Sequence, residues 1–192
     1  KNGDTVLDIC AAPGTKSLYI SEKIGSKGKV FAFDISKKRI IKAKNDFQRH
    51  NKKNIFWKQA DATTDKYPNS DKILLDVPCS GTGVIGNKPD IRWRRKPSDI
   101  INMSKIQFKI LQNVSKFLNN KGSLVYSTCS LEKEENWDVI KKFLKFNTNF
   151  KLDKLNKLIP SEWIDKKGCL KTMPFKHYVS GMFAVKLKKY DK

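Results

Sequence analysis

The chain has 192 residues, a normal length for one domain with a full core, and its hydrophobic fraction of 39% is low but globular. Forty basic against 19 acidic side chains give a formal charge of +21. A Lys/Asn-rich composition accounts for part of that excess, but the field still favours a polyanion, nucleic acid first, over a membrane surface, since no basic helix has a clean apolar face. Four cysteines, at 10, 79, 129 and 169, show no CxxC and no Cys/His ligand spacing. That argues against a metal site and for a reduced, cytoplasmic protein rather than a disulfide scaffold. No run is long enough to span a bilayer and no signal-peptide pattern is present. The chain opens Lys1-Asn-Gly-Asp4 and enters a strand almost at once, as expected of a single domain, 1–192, cut from a longer protein and acting as a monomer.

Thr5-Val-Leu-Asp-Ile9 reads as a short buried strand, and Cys10-Ala-Ala-Pro-Gly-Thr-Lys16 as a tight turn of small residues. Ser17 to Ile24 has helix character, Lys29-Val-Phe-Ala-Phe33 is a second strand ending at Asp34, and Ser36 caps a basic helix running to about Arg49. Asn54-Ile-Phe-Trp-Lys58 is a third strand, followed by Asp61, and Ile73 to Val77 a fourth. A long irregular basic stretch runs from Ser80 to Pro97. Ser98 then caps a helix to about Leu118, and Ser123-Leu-Val-Tyr126 is a fifth strand. Glu132, Glu134 and Glu135 are placed in the first turn of the next helix, where negative charge suits the dipole; that helix ends near Phe146. Strands around Phe150–Leu155 and Met182–Leu187 close the chain.

Alternating strands and helices predict a mostly parallel sheet covered on both faces, with ligands outside the carboxyl ends of the strands. The residues following the first five strands are Cys10–Lys16, Asp34, Asp61, Asp76 with Cys79, and Cys129. All the chemically interesting side chains therefore fall on one edge. In the turn Cys10, Ala11, Ala12, Pro13, Gly14, Thr15 and Lys16, small side chains let a ligand approach the backbone, and the helix that follows offers free N–H groups to a carboxylate. Asp34 is placed to grip ribose hydroxyls and Asp61 to reach an adenine amino group. The set suits a nucleoside cofactor without phosphates. G-x-G-x-x-G is absent, which argues against NAD and for S-adenosylmethionine.

Asp8-Ile-Cys-Ala-Ala-Pro-Gly-Thr-Lys-Ser17, Asp76-Val-Pro-Cys-Ser-Gly-Thr-Gly83, Pro89-Asp-Ile-Arg-Trp93 and Val125-Tyr-Ser-Thr-Cys-Ser-Leu131 together resemble the Sun (Fmu) family of RNA 5-methylcytosine methyltransferases, in particular its bacterial branch acting on small-subunit ribosomal RNA. The resemblance covers nearly the whole chain. It implies a Rossmann-like class I fold of about seven strands, S-adenosylmethionine as methyl donor, and cofactor contacts at Cys10 through Lys16, Asp34, Asp61 and Asp76. Three departures stand out. Thr15 replaces the second glycine of the usual Pro-Gly-Gly-Lys, a strained choice if that position needs a positive φ. The family's N-terminal RNA-binding domain and the short segment beside its active site have no counterpart in this stretch. Pro174-Phe-Lys-His177 and Ser180-Gly-Met-Phe183 match the family's closing segment only loosely.

Carbon 5 of cytosine is too poor a nucleophile to take a methyl group directly. A thiolate adding to carbon 6 makes the ring enamine-like, so that carbon 5 can attack a sulfonium methyl. On residue chemistry alone Cys79, after Pro78, and Cys129 are equally good candidates. The resemblance assigns the nucleophile to Cys129 and gives Cys79 a part in base removal or product release; Asp76 is expected to hydrogen-bond the ring nitrogen and stabilise charge in the adduct. Cys10 is expected to pack under the turn and Cys169 to lie in a loop; neither is given a catalytic role, and His50 and His177 are assigned nothing. Lys88, Arg92, Arg94 and Arg95 are the expected RNA-phosphate contacts, with Trp93 between them expected to pack into the core. The competing readings are a catalytically idle RNA-binding ribosome-assembly factor that keeps the cofactor fold, a DNA cytosine methyltransferase using Cys79, and a nicotinamide oxidoreductase.

Overall fold

Val6, Leu7 and Ile9 leave a strand apolar on both faces, which is stable only where a sheet is covered on both sides. This strand, β1 (Thr5–Ile9), is central in the computed structural model of the protein, which describes residues 1–48, 50, 52–153, 155 and 159–191. It pairs in parallel with β2 (Lys29–Asp34) on one side and β4 (Ser70–Asp76) on the other. β3 (Ile55–Gln59) extends the sheet beyond β2, and β5 (Leu118–Thr128) beyond β4, both parallel. β8 (Met182–Lys189) runs antiparallel to β5. Its outer edge is shared by β6 (Phe150–Asp153) over one half and β7 (Leu170–Thr172) over the other. The order is thus β3-β2-β1-β4-β5-β8-β6.

The helices are α1 (Thr15–Ile24), α2 (Lys37–Gln48), α3 (Ile91–Arg94), α4 (Pro97–Val114), α5 (Trp137–Phe146) and α6 (Pro174–His177). The chain leaves β1 in one direction for β2 and β3, then returns to build β4 and β5 on the other side. Right-handed crossovers therefore put α1 and α2 on one face and α4 and α5 on the other, where Phe108 and Phe146 pack edge to face. The direction reverses between β1 and β4, and a crevice at that reversal is where open sheets of this kind bind ligands.

The sheet has eight strands rather than the expected seven. β7 is three residues long, too short to show an alternating pattern, and pairs with β8 and, through Leu170, with an isolated bridge to Ile164. α4 begins a residue before Ser98, with Pro97 in the first helical position and the Asp99 carboxylate accepting the Lys96 N–H at 2.9 Å. It stops at Val114, since Leu118 already belongs to β5. Ser36 does cap α2, accepting the Arg39 N–H at 3.3 Å; the expected helix end at Arg49 lies outside the described residues. α5 begins at Trp137, so Glu132, Glu134 and Glu135 precede it rather than forming its first turn. Cys169 lies in the loop just before β7, as expected, but it is fully buried in the main core with Phe183, Val185 and Leu187 of β8.

Candidate active site

The cofactor turn is shaped by two residues with left-handed backbone. Cys10 has φ 62° and Gly14 φ 103°. A Cβ on Gly14 would stand 2.6 Å from the Trp57 ring, so this position needs glycine on both counts. Thr15 is the first residue of α1 and is not among the positive-φ residues, so the threonine is unstrained there. Cys10 is mostly buried under the turn, and burial pushes its thiol up to about 12, which leaves it inert. A cavity of about 140 Å³ opens here, lined by Asp8, Cys10 through Lys16, and Asp76.

Asp8 and Asp76 put carboxylates in the lining of this cavity, and Asp34 and Asp61 stand at the ends of neighbouring strands. Asp34, at the end of β2, accepts the N–H groups of Ser36 (2.9 Å) and Ala12 (3.2 Å) and pairs with the Arg39 guanidinium at 3.3 Å. Arg39 also donates to the Ala12 carbonyl, spanning the space between turn and carboxylate. Asp61 accepts the N–H and O–H of Thr63 at 2.8 and 2.7 Å, which hold its carboxyl below the usual range. Asp76 ends β4 with Lys16 Nζ at 2.7 Å from Oδ2 and the Ser127 hydroxyl donating to Oδ1 at 2.8 Å. Acceptors for hydroxyl and amino groups, helix N–H groups for a carboxylate and an excess of negative charge facing a cation are the donor set S-adenosylmethionine requires, and the residues fit it.

Beside this cradle, β4 and β5 deliver the two thiols. Their register pairs Asp76 with Ser127, and the Val77 N–H bonds to the Ser127 carbonyl at 3.1 Å. The chains leaving these adjacent strands therefore start side by side, and the sulfurs of Cys79 and Cys129 come to 3.1 Å. Both residues are partly exposed. The hydrogen bond between them lowers the Cys129 pKa against burial and the nearby Asp76, with Lys88 helping; the same bond raises Cys79. Either sulfur can donate in this contact, and of the two Cys129 is the thiol shifted towards ionisation.

The basic stretch after Cys79 is less simple than expected. Lys88, Arg92, Arg94 and Arg95 are all exposed. Arg94 pairs with Asp90 at 3.5 Å, and Arg95 gives its Nε–H to the Ser80 carbonyl at 2.9 Å. Trp93 does not pack in the core: it is 88% exposed on α3, a helix too short to bury a face. The closing segment, loosely matched in sequence, is tied to the Cys79 loop. The Gly181 N–H reaches the Gly83 carbonyl at 2.7 Å, and the Gly83 N–H reaches the Cys129 carbonyl at 2.9 Å. His177 is structural, its Nδ1 accepting the Met173 N–H at 2.8 Å. From the sequence Glu135 was given only a place at a helix start, and the glycine crossing was not foreseen, although Gly83 and Gly181 lie in quoted stretches.

The strand order, the small-residue turn and the carboxylates beyond β2, β3 and β4 define a class I S-adenosylmethionine-dependent methyltransferase domain. The chain belongs to the 16S rRNA methyltransferase RsmB/F family, whose model matches residues 1–188. It is 35% identical over 196 residues to the probable ribosomal RNA small subunit methyltransferase B of Bacillus subtilis, covering 98% of this chain and 44% of that protein. It is 41% identical over 155 residues to the ribosomal RNA small subunit methyltransferase B of Photorhabdus laumondii, covering 79% and 36%. Among solved structures it is similar to NSun6 from Pyrococcus horikoshii with SFG, at a TM-score of 0.87 and 33% identity, covering 98% of this chain and 48% of that one. A methyltransferase homolog protein from Pyrococcus horikoshii gives 0.82 and 31%, with 98% and 62% covered. The chain thus spans less than half the length of these curated relatives.

Proposed function

We propose that this domain methylates carbon 5 of a cytosine in RNA, small-subunit ribosomal RNA being the substrate, through a covalent bond between Cys129 and carbon 6. The observation that carries the reading is the 3.1 Å contact between Cys129 and Cys79 beside Asp76, at the rim of the cofactor cradle. S-adenosylmethionine supplies an electrophilic methyl group when bound. The side chains supply the rest. Cys129 adds as the thiolate to carbon 6, and Asp76, oriented by Ser127 and Lys16, hydrogen-bonds the ring nitrogen as charge builds there. Carbon 5 then forms its bond to the methyl carbon as the bond from that carbon to the sulfonium sulfur breaks, the electron pair staying on the sulfur. Loss of the carbon 5 proton to water restores the double bond as the sulfur–carbon 6 bond breaks with its electron pair on Cys129, and the base is released, the step in which Cys79 takes part. Exposed Lys88, Arg92 and Arg94 hold phosphates, and Trp93 offers a face on which an unstacked base can lie.

RNA carrying 5-fluorocytosine tests this, because fluorine cannot leave as the proton does and the sulfur–carbon bond persists. With the full-length protein, wild type forms a stable adduct and Cys129→Ala forms none. An adduct that survives in Cys129→Ala and disappears in Cys79→Ala overturns the assignment. Cofactor binding with no transfer to RNA supports instead an idle assembly factor.

A further inference from the structure

Glu135 is completely buried, and among the described residues no cation lies within ion-pair distance of it. A buried carboxylate is costly unless every lone pair is met, and here they are. Oε1 accepts the backbone N–H of Ser80 at 2.8 Å and an amide hydrogen of Gln107 at 2.9 Å. Oε2 accepts the hydroxyl of Ser80 and that of Ser130, the latter at 2.5 Å. Gln107, on α4, uses its second amide hydrogen on the Pro78 carbonyl at 2.9 Å. The neighbour matters in each case: Ser80 follows Cys79 and Ser130 follows Cys129. One carboxylate therefore fastens the two thiol loops, which are 50 residues apart in sequence, to each other.

We propose that Glu135 is the positioning residue of the two-thiol centre, holding Ser80 and Ser130 on one carboxylate so that Cys79 and Cys129 stay in contact. An apolar side chain would fill the same volume without the desolvation cost, so the retained charge points to geometry rather than stability. The Thr128 and Asn136 side chains support the same turn: the Thr128 hydroxyl donates to Asn136, whose amide donates to the Ser130 carbonyl at 2.8 Å. The proposal rests on the reading that the two thiols work as a pair, but its test does not need RNA.

The test is alkylation of Cys129 by iodoacetamide at pH 7 in the full-length protein, followed by mass spectrometry of its peptide. The groups that face Cys129 are Cys79, which lowers its pKa, Asp76, which raises it, and Lys88, which lowers it. In Glu135→Gln an NH2 group meets donors, the loops part, and Cys129 loses its hydrogen bond. Alkylation is expected to slow about tenfold, towards the few per cent thiolate of an unperturbed cysteine, while affinity for S-adenosylmethionine stays within about twofold. Removing a negative charge alone has the opposite sign and would speed alkylation. Ser130→Ala, which keeps the charge and removes one donor, is expected to slow alkylation about threefold and serves if Glu135→Gln does not fold. Alkylation unchanged or faster in the folded variants, with only the melting temperature lowered, overturns the proposal. A normal response here with no adduct on fluorocytosine RNA would strike the functional reading and leave Glu135 its role.

Discussion

The sulfur of Cys79 lies 3.1 Å from the sulfur of Cys129, close enough for one thiol to hydrogen-bond the other's thiolate. That bond is the largest influence lowering Cys129, and it makes the two cysteines unequal where their sequence settings left them equivalent. Cys79→Ala removes the donor. Cys129 then moves up towards the ordinary thiol value of about 8.5. A thiolate nucleophile reacts faster as pH rises through its pKa, so the rising limb of the single-turnover methyl-transfer rate against pH is expected to move to higher pH by about one unit. Methylated RNA should also remain attached to Cys79→Ala, visible as a shifted band on a denaturing gel. Cys129→Ala should lose methyl transfer altogether. An unmoved pH profile in Cys79→Ala would show that the contact does not set the thiolate.

Trp93 projects from α3 between Arg92 and Arg94, almost wholly in solvent. Its removal takes nothing from the core. Trp93→Ala should leave the melting temperature unchanged and weaken RNA binding by about 1–3 kcal/mol, the range for one stacked base. Arg92→Ala with Arg94→Ala should weaken binding evenly across sequences and flatten the salt dependence by roughly two charges, read from affinities at several ionic strengths. A clear fall in melting temperature for Trp93→Ala would instead place the ring against protein.

The difference between what could and could not be read from the sequence is one of range. Cys79 and Cys129 were legible as neighbours because each follows a strand-like apolar run, and parallel strands deliver their carboxyl ends to one edge. Asp34, Asp61 and Asp76 follow from the same rule. Trp93 was misjudged because a large aromatic is usually buried, while α3 is four residues long and has no buried residue. Glu135 was misjudged because three glutamates before an apolar run suit a helix start. What buries it is Ser80, 55 residues earlier, and no local pattern carries that contact. β7 was missed because its three residues are too few to show an alternating pattern, and its main pairing comes from β8, later in the chain. The Thr15 question was settled by which residue takes the positive φ: the turn spends it on Gly14.

Gly83 and Gly181 cross where the closing segment meets the Cys79 loop. A Cβ on Gly83 would fall 2.1 Å from the Gly181 carbonyl oxygen, and one on Gly181 would fall 2.8 Å from the Gly83 Cα. The obstacle at Gly83 is backbone, which cannot rotate away, while at Gly181 the Leu131 Cδ2 stands nearer still, at 2.5 Å. Gly83→Ala should therefore lower stability by about 1–3 kcal/mol and reduce methyl transfer more than cofactor affinity, because the displaced backbone bonds directly to the Cys129 carbonyl. Gly86→Ala is the control: nothing lies within 4 Å of its added Cβ, and it should be neutral within about 0.5 kcal/mol in urea unfolding. Equal effects at the two positions would remove the crossing as the cause.

Asp8 is the one charged residue in β1, with 1% of its surface exposed and the Ser17 hydroxyl donating to it at 2.5 Å. Burial pushes its carboxyl from the ordinary 3.8 up to about 7, while the Ser17 bond and Lys16 pull down and Asp76 and Asp34 push further up. A folded-state pKa above the unfolded one means that the folded protein binds the proton more tightly. Between about pH 4 and pH 7 the folded chain holds a proton that the unfolded chain has lost, so stability falls as pH rises through that window and is flat above it. The full shift corresponds to about 4 kcal/mol, an upper figure for one buried group. Asp8→Asn cannot ionise and keeps an oxygen for the Ser17 hydroxyl. It should match wild type at pH 4.5 and exceed it at pH 8, by several degrees in a calorimetric scan. A variant less stable than wild type at pH 8 would mean that the Asp8 charge is stabilised in the fold, the positive charge of Lys16 being what favours it.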